Sequence, residues 1–175
     1  DPAAGFDFVV LDAVTPPVWP AGNVLAIHVL NTNWVQDVAR LAGPPIVDWK
    51  SAHPLLRYAG FDNVAVMGSY AAKPPAWAIA LVDSPQAPLV LAGDLGRQRI
   101  IWIGFDVLES NWPLRVSFPI FIANAVDWLN PANAKSSQLL VKPGDAFRRG
   151  LLHPEKSALV TLPDGTTRSL TIDET

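Results

Sequence analysis

The stretch from Trp77 to Leu129 constrains this chain most: three short apolar segments, 77–82, 88–92 and 99–105, precede a loop and then a helical pattern. Phe118, Phe121, Ile122, Ala125, Val126 and Leu129 fall on one side of a 3.6-residue period, so the residues predict a helix with one continuous apolar face. Ser117 is placed to cap it. Pro119 is tolerated in the first turn, where its missing N–H has no intrahelical partner, and Asn130-Pro131 stops the helix. The apolar segments predict a β-meander divided by Ser84-Pro85 and by Gly93-Asp94-Leu95-Gly96, the second divider being a hairpin signal.

Upstream, Phe6 to Asp12 is almost continuously apolar and closes on an acid beside a loop, the pattern of a strand covered on both faces in a parallel sheet. A second such run, Asn23 to Leu30, follows a connection carrying Pro16, Pro17 and Pro20. That link is too short for an ordinary crossover helix, so an extended crossing is expected. Asn31-Thr32-Asn33 offers caps for a short helix bearing Trp34, Val35, Val38 and Leu41 on one face, stopped by Gly43-Pro44-Pro45. Ile46 to Trp49 and Val64 to Met67 read as brief strands, and Ser51 to Tyr58 as one helical turn started by Pro54.

All seven tryptophans precede Pro131, after which polar segments alternate with small apolar runs. This shift predicts two domains, 1–130 and 131–175, the second a β-rich tail or the start of a β-sandwich. Its expected strands are 138–141, 158–162 and 168–172, with Pro163-Asp164-Gly165-Thr166 as a turn. The chain opens without methionine and runs at once into a buried-type strand, so it is expected to be cut from a longer protein.

Composition narrows function by exclusion. Net charge is −3 and no basic stripe is present, which argues against a nucleic-acid surface. Cysteine is absent, which removes disulfides, thiolate nucleophiles and thiolate-ligated metals together. The longest uncharged apolar runs are strand-sized, below the roughly 18 residues of a membrane span, so any membrane link is expected through other parts of a parent chain.

Each chemically suggestive residue has a structural alternative. His53, with Asp48 before it and Arg57 after it, is a general base only if a nucleophile and an acid converge on it; otherwise its ring caps a turn. His28 lies within an apolar run and reads as a hydrogen-bonded core histidine, and His153 as a solvated one. Gly68-Ser69-Tyr70-Ala71 loosely resembles a serine elbow, making Ser69 a weak nucleophile candidate, but it lacks the second glycine and the following helix. Asp106 and Glu109 are weak candidates for a hard cation, as is Asp94; the structural alternatives are backbone capping by Asp106 and turn formation by Asp94. Trp112 and Arg115 in Asn111-Trp112-Pro113-Leu114-Arg115 are the best candidates for partner contact, because such residues dominate binding hot spots, although Trp112 could equally pack in the core.

The phrases His53-Pro54-Leu55-Leu56-Arg57-Tyr58, Leu91-Ala92-Gly93-Asp94, Ile103-Gly104-Phe105-Asp106, Asn111-Trp112-Pro113-Leu114-Arg115 and Asn124-Ala125-Val126-Asp127-Trp128-Leu129, with the segment Phe6 to Asp12, resemble one module. It is the class I glutamine amidotransferase-like domain of bacterial membrane proteins of the Bat (aerotolerance) type, which follows their von Willebrand factor A domain. The resemblance covers about Gly5 to Asn130. It implies a partial, flavodoxin-like, three-layer α/β fold with an antiparallel extension, lacking the first two strands, on the extracytoplasmic (periplasmic) side of a bacterial membrane; a sheet without those strands leaves Phe6 to Leu11 at an open edge, expected to recruit another chain. An active amidotransferase requires a cysteine nucleophile, and none exists here. The expectation is therefore a non-catalytic protein-binding or scaffold module without a cofactor, the alternative being a hydrolase with a displaced Ser/His or metal site.

Overall fold

Strand β1 (Phe8–Asp12) pairs in parallel with β2 (Asn23–Ile27), in register from Phe8 with Asn23 to Asp12 with Ile27. The computed structural model describes residues 3–36, 38–130, 157–161 and 166–171. Between the two strands the proline-rich link crosses without a helix, because proline supplies no N–H to a helical ladder. β2 is flanked on its other side by β8 (Gln98–Ile103), again in parallel. From β8 the sheet continues antiparallel through β7 (Pro88–Leu95) and β6 (Ala78–Asp83) to β4 (Asp48–Trp49), giving the order β1-β2-β8-β7-β6-β4. A separate antiparallel ribbon joins β3 (Ala39–Ala42) to β5 (Gly68–Ala71).

The central strands are apolar on both sides because both faces are covered. Leu25, Ile27, Val90, Ala92, Ile101 and Ile103 pack with α1 (Ser117–Leu129) and the 3-10 turn Pro54–Leu56. Val24, Ala26, Leu91, Ile100 and Trp102 pack against Trp34, Val35 and Ala72, with Trp19 and Trp77 at the margin. The Trp102 Nε1–H donates to the Val29 carbonyl at 2.8 Å, so this fully buried indole leaves no donor unpaired. On the helix face Phe121, Ala125 and Leu129 are buried, whereas Val126 is 41% exposed, so the apolar stripe is narrower than its spacing suggests.

The three-layer, flavodoxin-like α/β expectation is corrected here. Among the described residues there is one α-helix, on one face of a mixed sheet, and the opposite face is covered by loops carrying tryptophan. The parallel pattern of β1, β2 and β8 exists without the helical crossovers of an α/β fold. With 17 prolines in the chain, the connections that would hold those helices are poor helix formers.

Local expectations shift for identifiable reasons. The helix expected after Asn31 is a single turn, in which the Asn31 side chain accepts from the Asn33 N–H at 2.9 Å; Leu41 lies instead in β3, paired with Ser69. The strand expected at 64–67 forms one residue pairing, Val66 with Ser110, and the true strand begins at Gly68. Gly93 to Leu95 continue β7, and the hairpin link is Gly96-Arg97, with Gly96 at φ +62°. Val116 occupies the helix N-cap, while the Ser117 hydroxyl accepts from Trp112 Nε1 at 3.2 Å.

By contacts the chain divides into two units, Asp1–Ser136 and Ser137–Thr175. In the second, β9 (Ser157–Thr161) and β10 (Thr167–Thr171) form an antiparallel pair. The expected strand at 138–141, the turn residues 163–165 and His153 lie outside the described residues.

Candidate functional site

Parallel strands β1, β2 and β8 end on the same side of the sheet, and such carboxyl ends are where open sheets commonly hold ligands. The β3–β5 ribbon is laid against this end. The Tyr70 N–H donates to the Gly104 carbonyl at 2.8 Å, and Ser69 pairs with Phe105. Beneath the ribbon, the His28 N–H donates to the Ile103 carbonyl at 2.8 Å. His28 then takes φ +50°, a left-handed conformation uncommon for a residue with a side chain. It directs the imidazole onto the Tyr70 ring, 4.5 Å away and tilted by 27°.

Arg40 faces Tyr70 across the ribbon. Its Nη2 donates to the phenol oxygen at 3.1 Å, and its guanidinium carbon lies 5.2 Å from the ring centre. With Leu41, Ala42, Met67, Gly68, Ser69 and Glu109, these three residues line a cleft of about 370 Å³. A depression of about 460 Å³ between 43–46 and 61–66 is larger, but its charged lining is confined to Asp62. The cleft beside Tyr70 is the better candidate because a cation, a carboxylate, a hydroxyl and a flat ring surface converge there.

His28 is thus not the core histidine its apolar neighbours suggested: β2 ends one residue earlier, and the ring is half-buried at the cleft. Ser69 is buried, and its hydroxyl donates to the Tyr70 carbonyl at 2.9 Å. Ser69 belongs to strand β5 and not to a strand-to-helix turn, so the elbow geometry is absent. His53 lies elsewhere, capping the turn Pro54–Leu56: its Nδ1 accepts from the Leu55 N–H at 3.2 Å, and its ring lies 6.2 Å from Trp128. Burial, and secondarily the Lys50 ammonium, hold His53 below the ordinary histidine pKa. Burial raises the Asp83 carboxyl above the ordinary carboxylate range, with Lys50 opposing that shift and Asp48 adding to it.

Asp106 accepts from the Leu108 N–H at 2.8 Å and caps a 3-10 turn whose last residue is Glu109. Among the described residues no three of His, Cys, Asp and Glu come together as a metal would need. Asp94 sits in β7, not in a turn, and forms an ion pair with Arg99 at 3.3 Å. Trp112 is fully buried, its ring centre 4.8 Å from Phe61 and 5.0 Å from Phe121. The Arg115 guanidinium is spent on a loop: its Nη2 donates to the Asn63 carbonyl at 2.9 Å.

Arg40 and Tyr70 escaped the reading of the sequence because Arg40 falls in a segment taken for helix, which hides its cross-strand partner 30 residues away. The signal lay in two four-residue runs, Ala-Arg-Leu-Ala and Gly-Ser-Tyr-Ala, each setting one long polar or aromatic side chain among small neighbours.

Comparison of the chain with protein-family models, with curated proteins and with solved structures finds no match. Among the described residues no helix is long and apolar enough to cross a membrane.

Proposed function

We propose that the chain is a non-catalytic protein-binding or scaffold module of a larger bacterial membrane-anchored protein, exposed on the extracytoplasmic side. The setting comes from the resemblance of its phrases to the amidotransferase-like module of Bat-type proteins. The observation that carries the non-catalytic reading is the state of its two nucleophile and base candidates. The Ser69 hydroxyl is engaged by the Tyr70 carbonyl and His53 Nδ1 by the Leu55 amide, and the two residues serve different elements. The absence of cysteine points the same way. Self-association through β1 belongs to the same proposal: among the described residues β1 is an edge strand, with Val10 51% exposed and Phe6, just before the strand, 72% exposed. Incubation with glutamine and with panels of simple esters and amides should give no turnover. Turnover abolished by His53→Ala would overturn the proposal.

One observation favours the hydrolase alternative: Ser69, His28 and Glu109 line the same cleft. That reading requires the Ser69 hydroxyl to leave the Tyr70 carbonyl and reach an imidazole nitrogen. It predicts ester turnover lost on both Ser69→Ala and His28→Gln; turnover that survives either substitution excludes it.

A further inference from the structure

Arg40 and Glu109 carry opposite charges, line one cleft and have no ion-pair partner among the described residues. Both are exposed, so each retains water that a ligand can displace. The Arg40 side chain is nevertheless held in place, by its hydrogen bond to the Tyr70 phenol and by its contact with the ring face. That reduces the conformational freedom lost on binding, and the guanidinium has more N–H donors than the phenol oxygen takes. The rest of the lining is largely apolar: Leu41, Ala42 and the 75% exposed Met67 share the cleft with the stacked Tyr70 and His28 rings. A thioether adapts readily to an apolar guest.

The geometry points to this cleft as a binding site for a small zwitterion, with its carboxylate on Arg40, its ammonium on Glu109 and its apolar part against Met67 and Leu41. An anion alone would face the repulsion of Glu109 and a cation alone that of Arg40, so a ligand bearing both charges satisfies the lining best. Free amino acids and the joined termini of short peptides share this chemistry. The cleft volume, at the small end of the range for ligand sites, suits either one. This inference goes beyond the scaffold proposal and does not depend on it.

The test is titration of the full chain, followed by amide NMR shifts and calorimetry, with leucine, dileucine, N-acetyl-leucine and leucine amide. Leucine or dileucine should saturate, with shifts centred on residues 40, 70 and 109, and the tighter of the two identifies the source. Removing the ammonium by acetylation or the carboxylate by amidation should each weaken binding by about tenfold or more, the value of one charge-assisted hydrogen bond. Arg40→Met should abolish discrimination between leucine and its amide while keeping discrimination against N-acetyl-leucine, and Glu109→Gln should do the reverse. No saturable shift with either zwitterion at its solubility limit, or saturation indifferent to both substitutions, would overturn the inference. Neither result bears on hydrolysis or on partner binding, which the ester panels and light scattering read separately.

Discussion

Gly104 and Tyr70 touch through their backbones: the Tyr70 amide donates to the Gly104 carbonyl at 2.8 Å, and a Cβ on Gly104 would lie 2.6 Å from the Tyr70 carbonyl oxygen. The same Cβ would lie 2.8 Å from Ser69 Oγ and from the Trp102 ring. The β3–β5 ribbon can close over the end of β8 only because residue 104 lacks a side chain. Gly104→Ala should therefore push the ribbon outward at a cost of about 1–3 kcal/mol, the usual penalty of overpacking. Denaturant unfolding measures that cost, and amide shifts at Arg40 and Tyr70 report the displacement.

Gly93 is under a harder restriction. A Cβ there would lie 1.9 Å from the Trp77 carbonyl oxygen, a backbone atom that cannot rotate away. Gly93→Ala should disrupt the β6–β7 pairing and destabilise the chain more than Gly96→Ala. At Gly96 nothing lies within 4 Å and the cost is the positive φ alone, of the order of 1 kcal/mol. Thermal unfolding of the two variants side by side checks the order.

Trp112 and Arg115 stand three residues apart with opposite environments. Trp112→Ala should cost about 3–5 kcal/mol by emptying the aromatic cluster. Arg115→Ala, on a largely exposed side chain, should change stability by about 0.5 kcal/mol or less. Equal effects in denaturant unfolding would contradict the burial described above.

The pH dependence of stability should carry a signature of His53. Its folded-state pKa lies below its unfolded value near 6.5, so between the two the unfolded state binds more protons and stability rises with pH. The full contribution is present above the unfolded value and is lost as pH falls toward the folded one, since protonated Nδ1 cannot accept from Leu55. Asp83, raised by burial, acts in the opposite sense and in the carboxylate range, losing stability as pH rises there. His53→Asn keeps a capping acceptor but does not titrate, so it should flatten the slope just below neutrality; His53→Ala should also lose about 1 kcal/mol of cap. Unfolding curves across pH separate these outcomes.

At the open edge, Val10→Lys should leave the fold intact, because the side chain is half-exposed, while reducing any self-association through β1. Light scattering of the two chains at matched concentration checks it. A parent chain that is already a monodisperse monomer removes the β1 interface from the proposal.

As an edge strand with Val10 51% exposed, β1 is not covered on both faces as its apolar run suggested. The amino-acid order by itself nevertheless determined that strand's position, the doubly covered strand β2, the meander of β6, β7 and β8, the helix ending at Leu129 and the turn opened by Pro54. Each of these rests on local periodicity or on proline and glycine chemistry acting within a few residues. It also excluded thiol chemistry outright, through composition alone. Tertiary structure decided the rest. The β3–β5 ribbon exists because Ala39 to Ala42 find hydrogen-bond partners at Gly68 to Ala71, a pairing that no local pattern encodes and that overrode the helical reading of Leu41. The second sheet face is sealed by tryptophan-bearing loops instead of helices, since the prolines denied those connections a helical ladder. The cleft of His28, Arg40, Tyr70 and Glu109 draws on four segments far apart in the chain, and only folding brings them to one place.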